Sequence, residues 1–180
     1  MLLSQFIVFL NAALNMLISF FIGSLCILVL VLIHELGHAV MYRITAKSNN
    51  WIIVIGAGKP IIQSKKIIIK AYIFAGAYCR CPDKIEKKSH RILVNSGGFL
   101  FNIIFLFILN WISQHLEKFL SPHGLILNTI IPTLFFWNIG LILLTIFPIT
   151  YKWGIVKGYP SDGLSIYREV FGYKKSEEKS

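Results

Sequence analysis

At positions 31–40 the chain reads Val31-Leu-Ile-His-Glu-Leu-Gly-His-Ala-Val40, an apolar run that passes directly into two histidines and a glutamate. Residues four apart on a helix share a face, so the imidazoles of His34 and His38 can reach one metal ion. Glu35 lies about a quarter turn from His34, where it can act as general base on a water bound to that ion. The pattern is typical of a catalytic zinc site, and a structural cluster of polar side chains is the alternative.

The composition points to a membrane protein. The chain has 180 residues, enough for a single domain, of which 56% are hydrophobic, and its mean hydropathy is +0.68. Asp, Glu, Lys and Arg are absent from 16–33, 92–112 and 125–148. Each stretch is long enough to cross a hydrocarbon core of ~30 Å. We therefore expect a polytopic α-helical membrane protein with a three-helix core, its second and third helices at 91–113 and 125–148.

The N-terminal region allows two arrangements. A helix at 16–44 carries the two histidines, and the apolar residues before it are too many for one crossing. Residues 1–15 either lie at the membrane interface or belong to an extra helix that ends at a turn near Gly23–Ser24, which would give a four-helix core. We favour the interface, because a tight turn leaves backbone groups without hydrogen bonds in lipid.

The basic residues are distributed unevenly along the chain. Residues 1–42 contain no Lys or Arg, 43–91 contain eleven, 92–150 contain one and 151–180 contain six, within a net charge of +10. This alternation is typical of cytoplasmic loops, which carry an excess of Lys and Arg. The sequence therefore predicts a multi-pass protein of the cell membrane, with the active site towards the cytoplasmic side and basic faces against anionic lipid. The same alternation argues against a nucleic-acid partner.

Residues 51–81 differ from the apolar helices. The segments 51–55 and 67–74 are rich in β-branched and aromatic residues, and two glycines and a proline lie between them. This pattern predicts a small cytoplasmic-side β-hairpin. The strands either clamp an extended substrate or form a structural cover for the site. Residues 164–180 are expected to be a solvated, frayed cytoplasmic tail.

The three cysteines, Cys26, Cys79 and Cys81, do not form a disulfide framework. Cys26 lies in an apolar run. Cys79 and Cys81 lie on the predicted cytoplasmic side, where thiols stay reduced. The pair could bind a metal, but two thiols without further ligands are weak evidence for such a site.

A catalytic zinc usually has three protein ligands and an open fourth position. Asp162, in Tyr159-Pro-Ser-Asp-Gly163, is the first acidic residue after the third helix. It is a candidate third ligand, although Pro-Ser-Asp-Gly is also good turn chemistry. Glu169 is the rival, as in soluble zincins with a Glu ligand.

Three polar or small residues on the other helices are candidate supporting residues. Gly98 and Asn102 lie on one face of the second helix, in Gly97-Gly-Phe-Leu-Phe-Asn102, and Asn138 lies on the third. Small residues permit close helix packing, and Asn can form hydrogen bonds between helices. These residues therefore either support the site or only pack the helices.

Taken in order, these motifs resemble the site-2 protease family, zinc peptidases that cut within membranes. Gly97–Asn102 is similar to the family's small-residue motif ending in Asn. Thr145-Ile-Phe-Pro148 is similar to its Asn-x-x-Pro element, with Thr where Asn is usual. Tyr159–Gly163 is similar to its Asp-Gly motif, followed here by Leu164 rather than a second Gly. The resemblance covers about residues 20–165.

The resemblance implies that Asp162 is the third zinc ligand and that Asn102 lies near the active site. It also implies one Zn²⁺ per chain and a substrate that is a single-span membrane protein or peptide. Because no regulatory domain is evident in the sequence, we expect control by substrate availability or by a separate regulatory partner. We therefore predict a zinc-dependent intramembrane endopeptidase in which Glu35 activates a zinc-bound water. The alternatives are a non-proteolytic membrane binding or immunity protein of the same fold, and a membrane-bound zincin with Glu169 as third ligand.

Overall fold

The computed structural model describes residues 2–116 and 126–172. Its elements, in chain order, are helix α1 (Leu2–Ala46), strands β1 (Ile52–Gln63) and β2 (Ile67–Arg80), helix α2 (Lys88–Leu116), a π-helical turn (Ile126–Ile130), and helices α3 (Ile131–Ile146) and α4 (Asp162–Phe171). Within the described residues, α1, α2 and α3 are long and apolar enough to cross a membrane. This confirms the predicted three-helix membrane core beside a two-stranded antiparallel sheet.

Helix α1 is continuous over 45 residues, so the turn considered near Gly23–Ser24, and with it a fourth crossing, is wrong. The Ser24 hydroxyl donates to the Phe20 carbonyl at 2.7 Å, which keeps its hydrogen bond inside the helix. A helix of this length extends about 68 Å, more than twice a hydrocarbon core of ~30 Å. The placement of residues 1–15 at the membrane interface stays a prediction.

Helices α1 and α2 approach most closely where Gly37 faces Gly97. A Cβ atom on either glycine would overlap the backbone carbonyl of the other. Small residues at a helix crossing allow this close backbone approach in a membrane. The crossing brings Val94 and Gly98 of α2 against the two histidines of α1.

The strands are longer than the sequence suggested, because the backbone continues pairing through glycines. Gly56 and Gly58 have φ of 82° and 84°, which bends β1 in a conformation that favours glycine. Segment 53–55 pairs with 77–79 along one edge and with 67–69 along the other. It is buried in a cluster with Ala39, the residue after His38. Since both of its edges are occupied, this segment is not free to clamp a substrate strand.

The tail expected at 164–180 is helical in its first part, so the prediction of a frayed tail is wrong for 164–171. Gly172 closes α4 in the left-handed conformation (φ 71°) that a helix end favours. The Arg91 guanidinium also binds Glu169 on α4, which ties the helix to α2. Residues 173–180 lie outside the described part of the chain.

Candidate metal centre

His34, His38 and Asp162 bring one ligand atom each to a single point. The Asp162 Oδ2 atom lies 3.1 Å from His34 Nε2 and 3.4 Å from His38 Nε2, and the two Nε2 atoms are 3.3 Å apart. Tetrahedral zinc with bonds of 2.0–2.1 Å requires ligand atoms about 3.3–3.4 Å apart. The three atoms therefore form a triangle of the size that one face of a zinc tetrahedron requires.

The hydrogen bonds around the triangle fit metal ligands. The Nδ1 atom of His38 lies 2.7 Å from the Val94 carbonyl oxygen, so Nδ1 carries the proton and the Nε2 lone pair is free for a metal. Among the described residues, buried Asp162 Oδ2 has no hydrogen-bond partner despite the nearby imidazoles. A buried carboxylate oxygen without a partner is costly, and a cation at the centre of the triangle would satisfy it.

The charge of Asp162 also suits a ligand. Burial of its carboxyl group opposes ionisation, but the neighbouring His38 and His34 hold the pKa of Asp162 well below its usual range. Asp162 begins helix α4, where the helix dipole further favours a negative charge. The group is therefore a carboxylate at neutral pH, the form that coordinates zinc.

Ser161, which the sequence analysis missed, is the residue that positions Asp162. Its hydroxyl donates to the Phe147 carbonyl at 2.5 Å and accepts from the Leu164 N–H at 3.2 Å. It thus caps α4 and ties it to the end of α3. A helix N-cap of this kind contributes about 1 kcal/mol. Serine directly before an acidic residue is a helix-start signal, which could have revealed α4.

The connector between α3 and α4 brings Asp162 back to the membrane core. Thr150 and Pro160 form an antiparallel bridge, and the Tyr151 N–H donates to the Tyr159 carbonyl at 3.0 Å. The long spacer between Pro148 and Pro160 is therefore a closed loop whose two ends meet. It returns the chain beside the end of α3.

Two glycines leave room for the centre. A Cβ atom on Gly98 would overlap the His34 ring and lie 2.6 Å from His38 Nε2. A Cβ atom on Gly163 would overlap the Ile146 carbonyl oxygen at the end of α3. Gly98 therefore lies directly against the candidate ligands, and Gly163 lets α4 begin in contact with α3.

The structure does not bring Glu169 to the histidines. Its two carboxylate oxygens accept from Arg91 Nε at 2.8 Å and from the terminal guanidinium nitrogen at 2.9 Å. This hydrogen-bonded pairing lowers the pKa of Glu169. Glu169 therefore does not bind the metal centre. It holds helix α4 against α2, and Asp162 lies at the start of the same helix.

Comparison with known proteins agrees with this geometry. The family model of Peptidase family M50 matches residues 22–176. The chain belongs to peptidase family M50. It is 32% identical, over 103 residues, to the uncharacterized membrane protein YwmF of Bacillus subtilis (strain 168). That match covers 56% of this chain and 64% of the relative, just under two thirds of its length. No solved structure matches the chain.

M50 members are zinc metallopeptidases, so the family supports a protease and a zinc cofactor at the triangle described above. The match to a second membrane protein agrees with the three candidate spans. The resemblance to site-2 proteases is thereby confirmed. The family match does not test the roles of individual residues, which stay predictions.

Asn102 and Asn138 of this M50 chain bind each other between α2 and α3. Asn102 Nδ2 donates to Asn138 Oδ1 at 2.5 Å, and Asn138 Nδ2 donates to the Asn102 carbonyl at 2.9 Å. Both residues are fully buried, so the pair links the helices within the core. Asn102 lies one turn after Gly98, on the face of α2 that meets the histidines.

The general base has two neighbours that sequence reasoning missed. The backbone N–H of Cys79, on β2, lies near the carboxyl group of buried Glu35. Burial, together with the negative charges of Asp162 and Glu35, raises the pKa of Tyr151 to about 12. Tyr151 is therefore a protonated phenol near both carboxylates. No sequence signal pointed to either neighbour, because the position of each depends on long-range packing.

Proposed function

We propose that this M50 protein is a zinc-dependent intramembrane endopeptidase with His34, His38 and Asp162 as metal ligands and Glu35 as general base. The observation that carries the proposal is the triangle of three ligand atoms next to the buried Glu35. Three protein ligands leave a fourth coordination position open, as catalytic zinc sites do.

The residues around the triangle supply the remaining chemistry. Zinc held there would polarise the scissile carbonyl group and lower the pKa of water towards ~7. The Glu35 carboxylate accepts a proton from the attacking water and passes it to the leaving amine nitrogen. The Cys79 N–H lies near that carboxylate. Tyr151 stays protonated at neutral pH, so it adds a neutral O–H donor to this part of the protein.

The substrate we propose is a single-span membrane protein or peptide, bound in an extended form. A residual 18% exposure of the Asp162 side chain leaves an opening through which water can reach the site. The supporting partners are anionic lipid at the basic faces and a separate regulatory protein, and nucleic acid is not a partner.

The site should face the cytoplasm, because the basic residues cluster in the segments next to it. A single cysteine at Lys65, in a background without native cysteines, should resist a membrane-impermeant thiol reagent applied to intact cells. A cysteine at Pro122 should react. Reaction at position 65 with protection at position 122 would invert the topology.

Cleavage of membrane peptides tests the activity. Purified wild type and Glu35→Gln are incubated with single-span peptides, and the products are identified by mass spectrometry. Glu35→Gln keeps the shape of the side chain and removes the base, so it should retain zinc and lose about 10²–10⁴-fold in rate. If wild type and Glu35→Gln produce the same fragments at the same rate, the peptidase assignment is wrong. If neither cleaves and both bind the peptide, the non-proteolytic alternative is favoured.

A further inference from the structure

Two thiols lie beside the general base and have no place in the proposed mechanism. The Sγ atoms of Cys79 and Cys81 are 3.6 Å apart. Side chains alternate along an extended chain, so residues i and i+2 lie on the same side. Pro82 favours an extended conformation at Cys81, which keeps both sulfur atoms on one face. Both cysteines are free and half-buried, so small molecules can reach them.

The pair has a direct structural connection to the site. The Cys79 side chain packs on the core cluster that contains Ala39 of α1, the residue after His38. The backbone N–H of the same cysteine lies near the Glu35 carboxyl group. Movement of Cys79 therefore disturbs both the packing against α1 and the surroundings of the general base.

We propose that Cys79 and Cys81 are the site of a reversible disulfide that slows hydrolysis at the metal centre. The proposal rests on the proposed peptidase function. A disulfide requires an S–S distance of about 2.0 Å, so the two sulfur atoms must approach each other by about 1.6 Å from their separation of 3.6 Å. Residues i and i+2 of an extended chain have Cα atoms about 6.4–6.8 Å apart, at the upper limit that a disulfide tolerates. The segment from Cys79 to Cys81, which runs out of the end of β2, must therefore contract, and it carries the Cys79 N–H with it.

The strain of this bridge makes it easy to reduce. Strained and exposed disulfides have more oxidising potentials and are the labile, regulatory ones. Disulfides that form inside cells are usually transient and redox-sensing. A strained bridge of this kind fits a switch and does not fit a permanent structural link.

Oxidation by a small-molecule disulfide such as oxidised glutathione balances as two exchange steps. The hydrogen bond with Cys79 lowers the pKa of Cys81, so Cys81 is the favoured attacking thiolate. It forms an S–S bond to one glutathione sulfur and releases the other as a thiolate. Cys79 then attacks the Cys81 sulfur and releases the second glutathione thiolate. The two cysteine protons go to the two glutathione thiols, so the cysteines are oxidised and the glutathione disulfide is reduced.

The test uses the full-length purified protein and oxidised glutathione, with Cys26→Ser as the matched control. Alkylation followed by mass spectrometry should show a Cys79–Cys81 bridge, with the loss of two hydrogen atoms, in wild type and in Cys26→Ser. The peptide cleavage rate should fall by at least about tenfold and recover with dithiothreitol. Cys81→Ser, which cannot form the bridge, should cleave peptide at the same rate with and without the oxidant.

The outcomes separate this inference from the peptidase assignment. If reduced wild type cleaves peptide and both thiols are still alkylated after oxidation, the inference alone is wrong. A bridge that leaves the cleavage rate unchanged also overturns it. A second zinc per chain that is lost in Cys79→Ser overturns it in favour of a thiolate metal site. If the bridge forms but reduced wild type cleaves no membrane peptide, the peptidase assignment fails and the proposed control fails with it.

Discussion

Replacing Gly98 with alanine should weaken zinc binding without unfolding the protein. The added methyl group would lie 2.6 Å from His38 Nε2, and ordinary contact begins at 3.4 Å, so that nitrogen must move by about 0.8 Å. Zinc–ligand distances tolerate only about 0.2 Å. We expect an affinity loss of about 10–100-fold, the effect typical of residues that support metal ligands. That loss corresponds to about 1.4–2.8 kcal/mol.

The measurement is competition for zinc with a chromophoric chelator, alongside circular dichroism to check helix content. Gly140→Ala is the matched control, because the added methyl group on α3 has no atom within 4 Å. It should bind zinc like wild type. If Gly98→Ala also binds zinc as tightly as wild type, the histidine rings do not occupy the positions on which the metal centre depends.

Asp162→Asn should lose zinc, whereas Glu169→Gln should keep it, because the Glu169 carboxylate binds Arg91. Metal analysis of both purified variants checks this. If Glu169→Gln loses zinc and Asp162→Asn keeps it, the chain is a zincin with a Glu ligand. The pairing lowers the pKa of Glu169, so its contribution to stability is present above the unfolded pKa of about 4.3. That contribution is lost as the pH falls through the lowered value, and Glu169→Gln should remove it from thermal unfolding curves recorded across this window. Asn102→Ala and Asn138→Ala should each destabilise the protein by about 1–3 kcal/mol, because each leaves a buried amide unpaired. In denaturant unfolding, the double variant should lose less free energy of unfolding than the two single variants lose together. If the losses add, the two amides do not interact.

The sequence predicted the parts of the site that are local. His34 and His38 share a face because of helix geometry alone, and their separation in the structure follows from that spacing. Asp162 lies far along the chain, and residue chemistry alone did not decide between Asp162 and Glu169 as the third zinc ligand. The resemblance to site-2 proteases favoured Asp162, and the structure brings it to the histidines.

The features that sequence reasoning missed depend on single contacts between distant segments. Helix α4 was taken for a turn and a tail, because Pro-Ser-Asp-Gly fits turn chemistry as well as a helix start. The Ser161 hydroxyl stabilises the helix start, because it donates a hydrogen bond to the Phe147 carbonyl at the end of α3. Similarly, the bends at Gly56 and Gly58 place 53–55 between two partner segments, and no pattern of alternation encodes that arrangement.

The zinc content and X-ray absorption spectrum of the purified wild-type protein show directly whether His34, His38 and Asp162 bind zinc. We expect one zinc per chain, with nitrogen and oxygen ligands at about 2.0–2.2 Å and no sulfur. A freshly purified, unchelated protein without zinc would contradict this expectation. Zinc–sulfur scattering at about 2.3 Å would also contradict it, because the metal would then be bound by cysteine thiolates and not by His34, His38 and Asp162.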